Sequence, residues 1–285
     1  MLISSYASLA DLKTILGITS TTDDAIMRKI LESATRSIER YTDRIFYVTN
    51  DTKYFDGAVT LWIPDLLSIT TLKTDEDGDG TYENTFDTTF ATGDVIPYGV
   101  GLEDSLNTFP WIRLEINPEG DYGSFASGVK KGVEIAGEWG YGDGTAATPY
   151  IEATTLSANV TTTTTTTVNV TSVTDISIGH TLKIDDEQMY VKSIATLALT
   201  VVRGTNGTTA ATHTAAAKVY VYQYPSDIRQ ACIDLSVALY QNRSKQGLQS
   251  ERIGDYNYVV MGTSLGKSMV ESILESVRSY KRMRF

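Results

Sequence analysis

The sequence predicts an α+β protein, built from an α-helical body with β hairpins and an inserted small all-β domain of the barrel or sandwich type. Two stretches with helical periodicity stand far apart, one before residue 50 and one after residue 224. Between them the apolar period changes from that of helices to the two-residue alternation of strands. Beyond residue 150 the composition changes again, to a tract rich in Thr, Ala and Val with closely spaced strands.

These changes divide the chain into three parts. Residues 1–149 form the first part of the body, residues 150–223 the inserted all-β domain, and residues 224–285 the second part of the body. The glycine-rich stretch 140–145 marks the boundary before the insert. We expect the two helical stretches to fold against each other as one unit.

Two helices are predicted in the N-terminal stretch. Residues 10–17 form a short helix that ends at a glycine. The hydroxyls of residues 19–24 then provide an N-cap for a longer helix, and the carboxylates in this stretch suit the positive end of its dipole. Its apolar residues recur every three or four positions and form one stripe: Met27, Ile30, Leu31, Ala34, Ile38, Tyr41 and Ile45.

The next residues read as strands. A strand, a turn and a second strand are predicted over residues 53–64, and further strands over residues 68–74, 111–116 and 133–139. Residues 93–110 lack periodicity and are predicted to form a long loop. In the inserted domain, short strands are predicted at residues 168–170, 181–184, 188–191, 199–202 and 218–222, and the β-branched threonine run 161–167 can pair as a strand as well.

Helical sequence resumes at Pro225, which suits the first turn of a helix. A glycine-containing linker follows, and a last helix is predicted from about Leu265. One face of this helix is apolar, with Val270, Ile273, Leu274, Val277 and Tyr280. Its end is basic, with Arg278, Lys281, Arg282 and Arg284.

The bulk composition excludes several classes of protein. Of the 285 residues, 41% are hydrophobic and 21% are charged, as in ordinary globular proteins. No apolar run approaches the roughly 20 residues that span a bilayer, so no membrane partner is expected. No signal peptide is evident, and the single Cys232 cannot form an internal disulfide. The net charge of −11 argues against a protein that binds nucleic acid tightly, but it is compatible with a surface past which DNA slides.

One motif suggests a metal site. Asp75, Asp77, Asp79 and Glu83 place carboxylates at alternating positions around glycines, as calcium loops do. The twelfth position, where a helix-loop-helix calcium site needs a glutamate, is Phe86, and the flanks read as strands. The alternative is a solvated acidic β-turn in which Asp and Gly serve the backbone. We therefore expect no cofactor, with calcium as the one open alternative.

No set of residues predicts catalysis. His180 and His213 stand apart from other ligand residues and are interpreted as surface or turn histidines. Cys232 lies on an apolar helical stripe and is interpreted as packed core. No nucleophile motif, phosphate-binding loop or zinc motif occurs, so the protein is not expected to be an enzyme.

Three segments carry a resemblance to a known family. They are the run from Leu9 to Ile18 with the following helix that ends in Ile38–Tyr47, the run from Pro225 to Ala231, and the run from Ser250 to Tyr258. Together they resemble the head–tail connector, or adaptor, proteins of tailed bacteriophages, over roughly residues 6–75 and 224–285. The β insert is similar to small β modules of phage structural proteins and departs from the compact connector pattern.

The resemblance implies a structural virion protein of the phage neck. Such proteins form a homo-oligomeric ring, commonly of twelve subunits, that docks on the portal protein and extends the DNA channel toward a stopper, tail-tube or tail-completion protein. DNA passes through the lumen without specific binding. The chain is then expected at the head–tail interface of the virion, and in the host cytoplasm during assembly.

In this family the C-terminal segment usually contacts the portal. The resemblance therefore assigns portal docking to the residues Val270, Ile273, Leu274, Val277, Arg278, Tyr280, Lys281, Arg282 and Arg284. The alternative is that the basic end has no partner and that its positive charges stabilise the C-terminal end of the helix dipole. The rival function is a calcium-dependent β-rich module that binds a surface or a carbohydrate.

Overall fold

The helical body is assembled from both ends of the chain. The computed structural model describes residues 5–89, 92–99, 108–145, 147–243, 251–253, 256–258 and 263–282. Its helices are α1 (Leu9–Leu16), α2 (Asp24–Thr42), α3 (Ser226–Asn242) and α4 (Thr263–Ser276), and a 3₁₀ turn follows at Arg278–Tyr280. The helices predicted from the sequence are therefore present, and α4 begins two residues before the predicted start.

Local signals explain where α1 begins and ends. Ser8 and Asp11 form a capping box, in which the Ser8 hydroxyl accepts the Asp11 N–H at 3.0 Å. Gly17 closes the helix with φ at +66°, a conformation that glycine adopts without strain. The predicted side-chain N-cap of α2 is wrong, because Asp23 makes no capping hydrogen bond there. Its carboxylate instead accepts the Tyr240 hydroxyl at 2.5 Å, which ties the start of α2 to α3.

The two helical stretches share one apolar core, as the sequence predicts. Leu31, Ala34 and Ile38 of α2 are buried together with residues of α3. The α3 residues in this core are Ile228, Ala231, Cys232, Ile233, Leu235 and Tyr240. Full burial of each Leu or Ile contributes about 1.5–3 kcal/mol, so this contact dominates the stability of the body.

Tyr6 holds three segments together at the edge of this core. Its backbone N–H donates to the Thr35 hydroxyl at 3.2 Å, and its own hydroxyl donates to Glu39 at 2.8 Å. The same hydroxyl accepts the backbone N–H of Phe46 at 3.0 Å, and the Tyr6 ring lies 5.0 Å from that of Tyr224. Tyr6 thus links the N-terminal segment to α2, to the exit from α2 and to the entry into α3.

An antiparallel sheet follows α2. Its strands are β1 (Thr49–Phe55), β2 (Thr60–Thr74), β3 (Asn84–Thr85), β4 (Val95–Gly99), β5 (Trp111–Ile116) and β6 (Val133–Trp139). They are ordered β1-β6-β2-β5-β4, and β3 also pairs with β2. Their buried side chains form a second core around Ile63, Leu72, Leu114 and Trp139.

Three expectations for this region are wrong. Strands β1 and β2 do not form a hairpin, since β6 lies between them and pairs with both. Residues 60–74 form one strand rather than two, because β-bulges carry the strand past Pro64, whose nitrogen has no hydrogen to donate. The predicted loop 93–110 contains β4, which pairs with β5.

The second antiparallel sheet comprises β7 (Tyr150–Thr155), β8 (Thr167–Asn169), β9 (Thr181–Ile184), β10 (Glu187–Ala195), β11 (Ala198–Val202) and β12 (Lys218–Tyr222). Its order is β7-β12-β9-β10-β11-β8. A bridge between Leu156 and Val170 joins the two edges, with hydrogen bonds of 2.9 Å on either side of it. The sheet therefore closes on itself around its own apolar core. Of the threonine run, Thr167 alone is in a strand, which corrects the expectation for residues 161–166.

Specific contacts join this barrel to the rest of the chain. The Val48 carbonyl accepts the Gln188 amide at 3.2 Å and the Tyr222 hydroxyl at 3.1 Å. The backbone of Asn50 donates to Asn206 at 2.9 Å, and a Cβ at Gly207 would lie only 1.9 Å from the Asn50 carbonyl oxygen. The barrel is thus seated against the start of β1, while its independent folding stays a prediction.

The C-terminal part follows the predicted order. An antiparallel pair of strands, β13 (Glu251–Ile253) and β14 (Tyr256–Tyr258), lies within the predicted linker, and α4 comes next. Among the described residues, none of the helices combines the length and the apolar character that crossing a membrane requires.

Replacing Tyr6 by phenylalanine should lower the free energy of unfolding by about 1–3 kcal/mol, because the buried Phe46 N–H loses its acceptor. Urea denaturation of the purified chain measures this change. The matched control is Tyr54→Phe. The Tyr54 side chain is 51% exposed, so this substitution should change the free energy of unfolding far less. Equal effects for the two variants would contradict the role given to Tyr6.

Candidate docking surface

The apolar face of the terminal helix is used within the chain. Val277 is fully buried in the helical core, and Val270, Ile273, Leu274 and Tyr280 pack against that core. The predicted docking set therefore divides in two. Its apolar members hold α4 to the body. Portal docking by this segment stays a prediction, and it would now depend on the charged members.

The charged members lie at the end of the segment. Arg278 is exposed and forms a 2.7 Å ion pair with Glu275. The Lys281 ammonium lies 5.4 Å from the centre of the Tyr41 ring, and the Arg282 guanidinium donates to the Ile63 carbonyl at 2.6 Å. Arg284 lies outside the described residues. Arg278 and Lys281 are thus the described cations of this segment that face solvent.

A buried ion pair anchors the segment. Arg44 and Asp65 pair with side chains that are only 7% and 4% exposed. The Arg44 Nε also donates to the Tyr280 carbonyl at 2.7 Å, and the Arg282 N–H donates to the Thr42 carbonyl at 2.8 Å. The basic end is therefore held at a fixed place, between the end of α2 and the middle of β2.

The predicted metal residues do come together. Asp75, Asp77, Asp79 and Glu83 can each bring one carboxylate oxygen within 4.8 Å of the others. The turn lies between β2 and β3, so its flanks are strands, as the sequence predicts. Calcium binding by this turn is the alternative to the expectation of no cofactor.

Hydrogen bonds from the backbone also shape this turn. The Asp75 carboxylate accepts the N–H groups of Gly78 at 2.6 Å and Gly80 at 2.8 Å. Both glycines have positive φ, at +79° and +91°, which explains their presence without a metal. The geometry is thus the one that an acidic β-turn needs, with carboxylates gathered as a consequence.

The interpretation of His213 as a surface histidine is wrong. Its ring is buried, with Nδ1 2.7 Å from Asp185 and Nε2 2.9 Å from Glu187. Arg203 forms a bidentate ion pair with Glu187, at 2.7 and 2.6 Å. His180, in contrast, lies in the turn before β9 and accepts the Ser177 N–H at 3.2 Å.

This cluster holds a loop against the barrel. The Glu187 carboxylate also accepts the N–H groups of Gly204 at 3.0 Å and Ala211 at 2.8 Å. It therefore ties β10 to the segment after β11. Burial alone would raise the pKa of Glu187, but the hydrogen bonds from Arg203, Ala211 and His213 hold it below its ordinary value.

Cys232 is packed core, as expected. The thiol lies 3.6 Å from the Thr35 hydroxyl, and burial raises its pKa to about 11. A thiol with so high a pKa stays protonated near neutral pH and is a poor nucleophile. Cys232 therefore contributes to the contact between α2 and α3.

Replacing Glu187 by glutamine should cost about 3 kcal/mol of stability, because Arg203 is left as a buried charge without its anion. In the unmodified chain the pKa of Glu187 is lowered, so its ionised carboxylate stabilises the fold above about pH 4. This stabilisation is lost as the pH falls through the lowered pKa. Thermal melts from pH 7 to pH 3 measure both effects. The exposed Glu152, paired with Lys218, supplies the control Glu152→Gln, which should cost under about 1 kcal/mol. A Glu187→Gln variant as stable as that control would contradict the assignment.

Calcium should leave the melting temperature unchanged, because Asp75 is satisfied by the backbone of its own turn. Differential scanning calorimetry tests this expectation, with one sample in about 2 mM calcium chloride and a second in about 2 mM chelator. A rise in melting temperature with calcium that is absent from the Asp77→Asn, Asp79→Asn variant would overturn it and support a metal site.

Comparison with known proteins shows that part of the chain matches a family model. No curated protein gave a significant match. A solved structure described as the neck of an empty GTA particle computed with C6 symmetry is similar, with 13% sequence identity and a TM-score of 0.35. That comparison covers 100% of this chain and 94% of the other. Residues 6–90, a range that begins before α1 and includes β1, β2 and β3, match the family model of phage gp6-like head-tail connector proteins, which confirms the predicted resemblance to phage head–tail connectors.

Proposed function

We propose that this chain is a structural protein of the phage neck that forms a ring, docks on the portal protein and extends the DNA channel toward the tail. The match of residues 6–90 to the gp6-like head-tail connector family carries this proposal. The proposed assembly is a homo-oligomer of about twelve subunits, the number that the resemblance implies. Its far side meets a stopper or tail-tube protein, at the head–tail interface of the virion.

The charge distribution supports this role. The chain carries a net charge of −11, which disfavours tight binding to DNA phosphates and suits a channel wall past which DNA moves. Against this acidic background the segment 278–282 holds three cations at a fixed place. Fixed cations steer and orient an acidic partner surface, so this end of the chain is the proposed portal contact.

The rival proposal is a calcium-dependent binding module. The gathering of Asp75, Asp77, Asp79 and Glu83 favours it, because hard carboxylate oxygens are the ligands that calcium prefers. The two proposals differ in what they need. A connector works without calcium, whereas the module loses its ligand when calcium is removed.

The portal contact can be tested with purified proteins. We expect the chain, mixed with the portal protein of its own phage, to form a ring on the portal that negative-stain electron microscopy resolves. The double variant Arg278→Glu, Lys281→Glu should weaken this binding at least about tenfold, since it reverses two exposed charges at the contact. The fold should persist, because the pair between Arg278 and Glu275 lies at the surface.

The matched control is Lys192→Glu, which reverses an exposed cation on the barrel. It should bind the portal like the unmodified chain. Absence of any complex between the unmodified chain and the portal would refute the proposed function. Equal binding by the double variant and the control would refute the assignment of the contact to this segment.

A further inference from the structure

A groove lies beside the anchored end of the chain. Its cavity of about 340 Å³ opens between the end of α2, the β1 strand and the middle of β2, and Arg282 lines it. A second cavity of about 440 Å³ continues from it past Tyr41 and Lys281. We call this feature the Lys53 groove and define it by Arg40, Lys53, Trp139, Lys281 and Arg282, which line the two cavities.

The carboxylates at the groove are mostly engaged elsewhere. Asp65 pairs with Arg44, and Glu39 pairs with Arg36 and accepts the Tyr6 hydroxyl. Asp43, the remaining carboxylate on the rim, caps α2 and has an interaction of its own. Among the described residues, three groove cations have no carboxylate partner: Arg40, Lys53 and Lys281. The groove therefore has an excess of positive charge in an acidic protein.

Lys53 is the most informative of these cations. Its side chain is half-buried, and its ammonium lies 4.6 Å from the centre of the ring of the fully buried Trp139. No carboxylate of the described residues approaches it within ion-pair distance. Burial lowers the pKa of Lys53, and Arg282 adds to this shift, whereas Asp51 and Asp65 oppose it. An ammonium held in this way gains stability when an anion enters the groove.

The walls of the groove favour one kind of anion. Ile45 and Pro64, which are both half-buried, line it beside the cations, so an occupant meets apolar surface as well as charge. Duplex DNA presents a phosphate about every 1.7 Å along its axis and binds along extended basic stripes, with no use for an apolar wall. A short peptide with two or three carboxylates and an apolar side chain matches both properties.

We propose that the Lys53 groove binds an acidic peptide segment of a neighbouring protein in the assembled neck, with a carboxylate at Lys53 and Arg40 and an apolar side chain against Ile45 and Pro64. This proposal rests on the proposed function and names the chemistry of a partner. It also shifts part of the docking surface from the apolar face of α4, which is used internally, to the cations beside its end.

Fluorescence anisotropy with a labelled synthetic peptide tests the groove directly. The probe is Glu-Glu-Leu-Glu-Glu-Leu, and the control probe replaces each glutamate by glutamine. We expect the acidic peptide to bind at least about tenfold more tightly than the control at low salt, and to weaken as salt is raised.

Variants of the full chain assign the binding to the groove. Lys53→Met and Arg40→Gln should each weaken binding of the acidic peptide about tenfold. Lys29→Gln, an exposed lysine nearer the start of the same helix as Arg40, should leave it unchanged. Circular dichroism melts of all three variants show whether they are folded, and Arg40→Gln, at an exposed position, tests the groove if Lys53→Met loses stability.

Three results would overturn the proposal: no binding of the acidic peptide, equal binding of the glutamine peptide, or unchanged binding by both groove variants. Displacement of the peptide by duplex DNA at a lower concentration, in a manner that depends on Lys53, would assign the groove to nucleic acid instead. The two proposals fail separately. If the peptide binds through Lys53 but no complex with the portal forms, the groove proposal stands and the proposed function fails. If rings form on the portal but the peptide does not bind, the proposed function stands and the groove proposal fails.

Discussion

The contact between α2 and α3 is the constraint on which the rest of this structure depends. It joins residues that lie far apart in the chain, as the 3.6 Å approach of Thr35 to Cys232 illustrates over a separation of 197 residues. Closing so long a loop costs conformational entropy, which the shared apolar face of the two helices must offset. Both main sheets lie between these helices in the chain, so the contact closes one long loop that contains them.

The ends of the chain are fixed by polar groups around this core. Tyr6 secures the N-terminal segment, and the buried pair of Arg44 and Asp65 secures the C-terminal one. A buried ion pair contributes little net stability, because desolvation offsets much of the attraction. Its value here is positional, since Arg44 also binds the Tyr280 carbonyl and so sets where the basic end emerges. The proposed portal contact and the Lys53 groove both inherit their geometry from this anchor.

Local patterns in the sequence predicted the helices well, because a helix is determined by residues three and four positions apart. The capping box at Ser8, the glycine that ends α1 and the apolar stripe of α2 are all readable in this way. The strands β5 and β6 were predicted by alternation, yet their pairing was not. That β6 separates β1 from β2 is decided by contacts between residues 59 to 90 positions apart, for which single-strand periodicity gives no signal. Strand β4 is short and contains Pro97, which hides it from the same pattern.

The candidate sites show the same division. The acidic turn was predicted because its ligand residues are neighbours in the chain. The cluster of His213 with Glu187 was missed, because these residues are 26 positions apart and meet only in the folded barrel. The available signal was Glu187, two positions from the inward-facing Met189 of its strand. The Lys53 groove was missed for a similar reason, since its cations come from α2, β1 and the chain end.

The most direct test of the account is a cryo-electron microscopy map of the intact phage neck. The account predicts a ring between portal and tail into which this chain fits with α2 and α3 packed together and its basic end against the portal. A virion that lacks this chain, or a map that places it away from the junction of head and tail, would contradict the account.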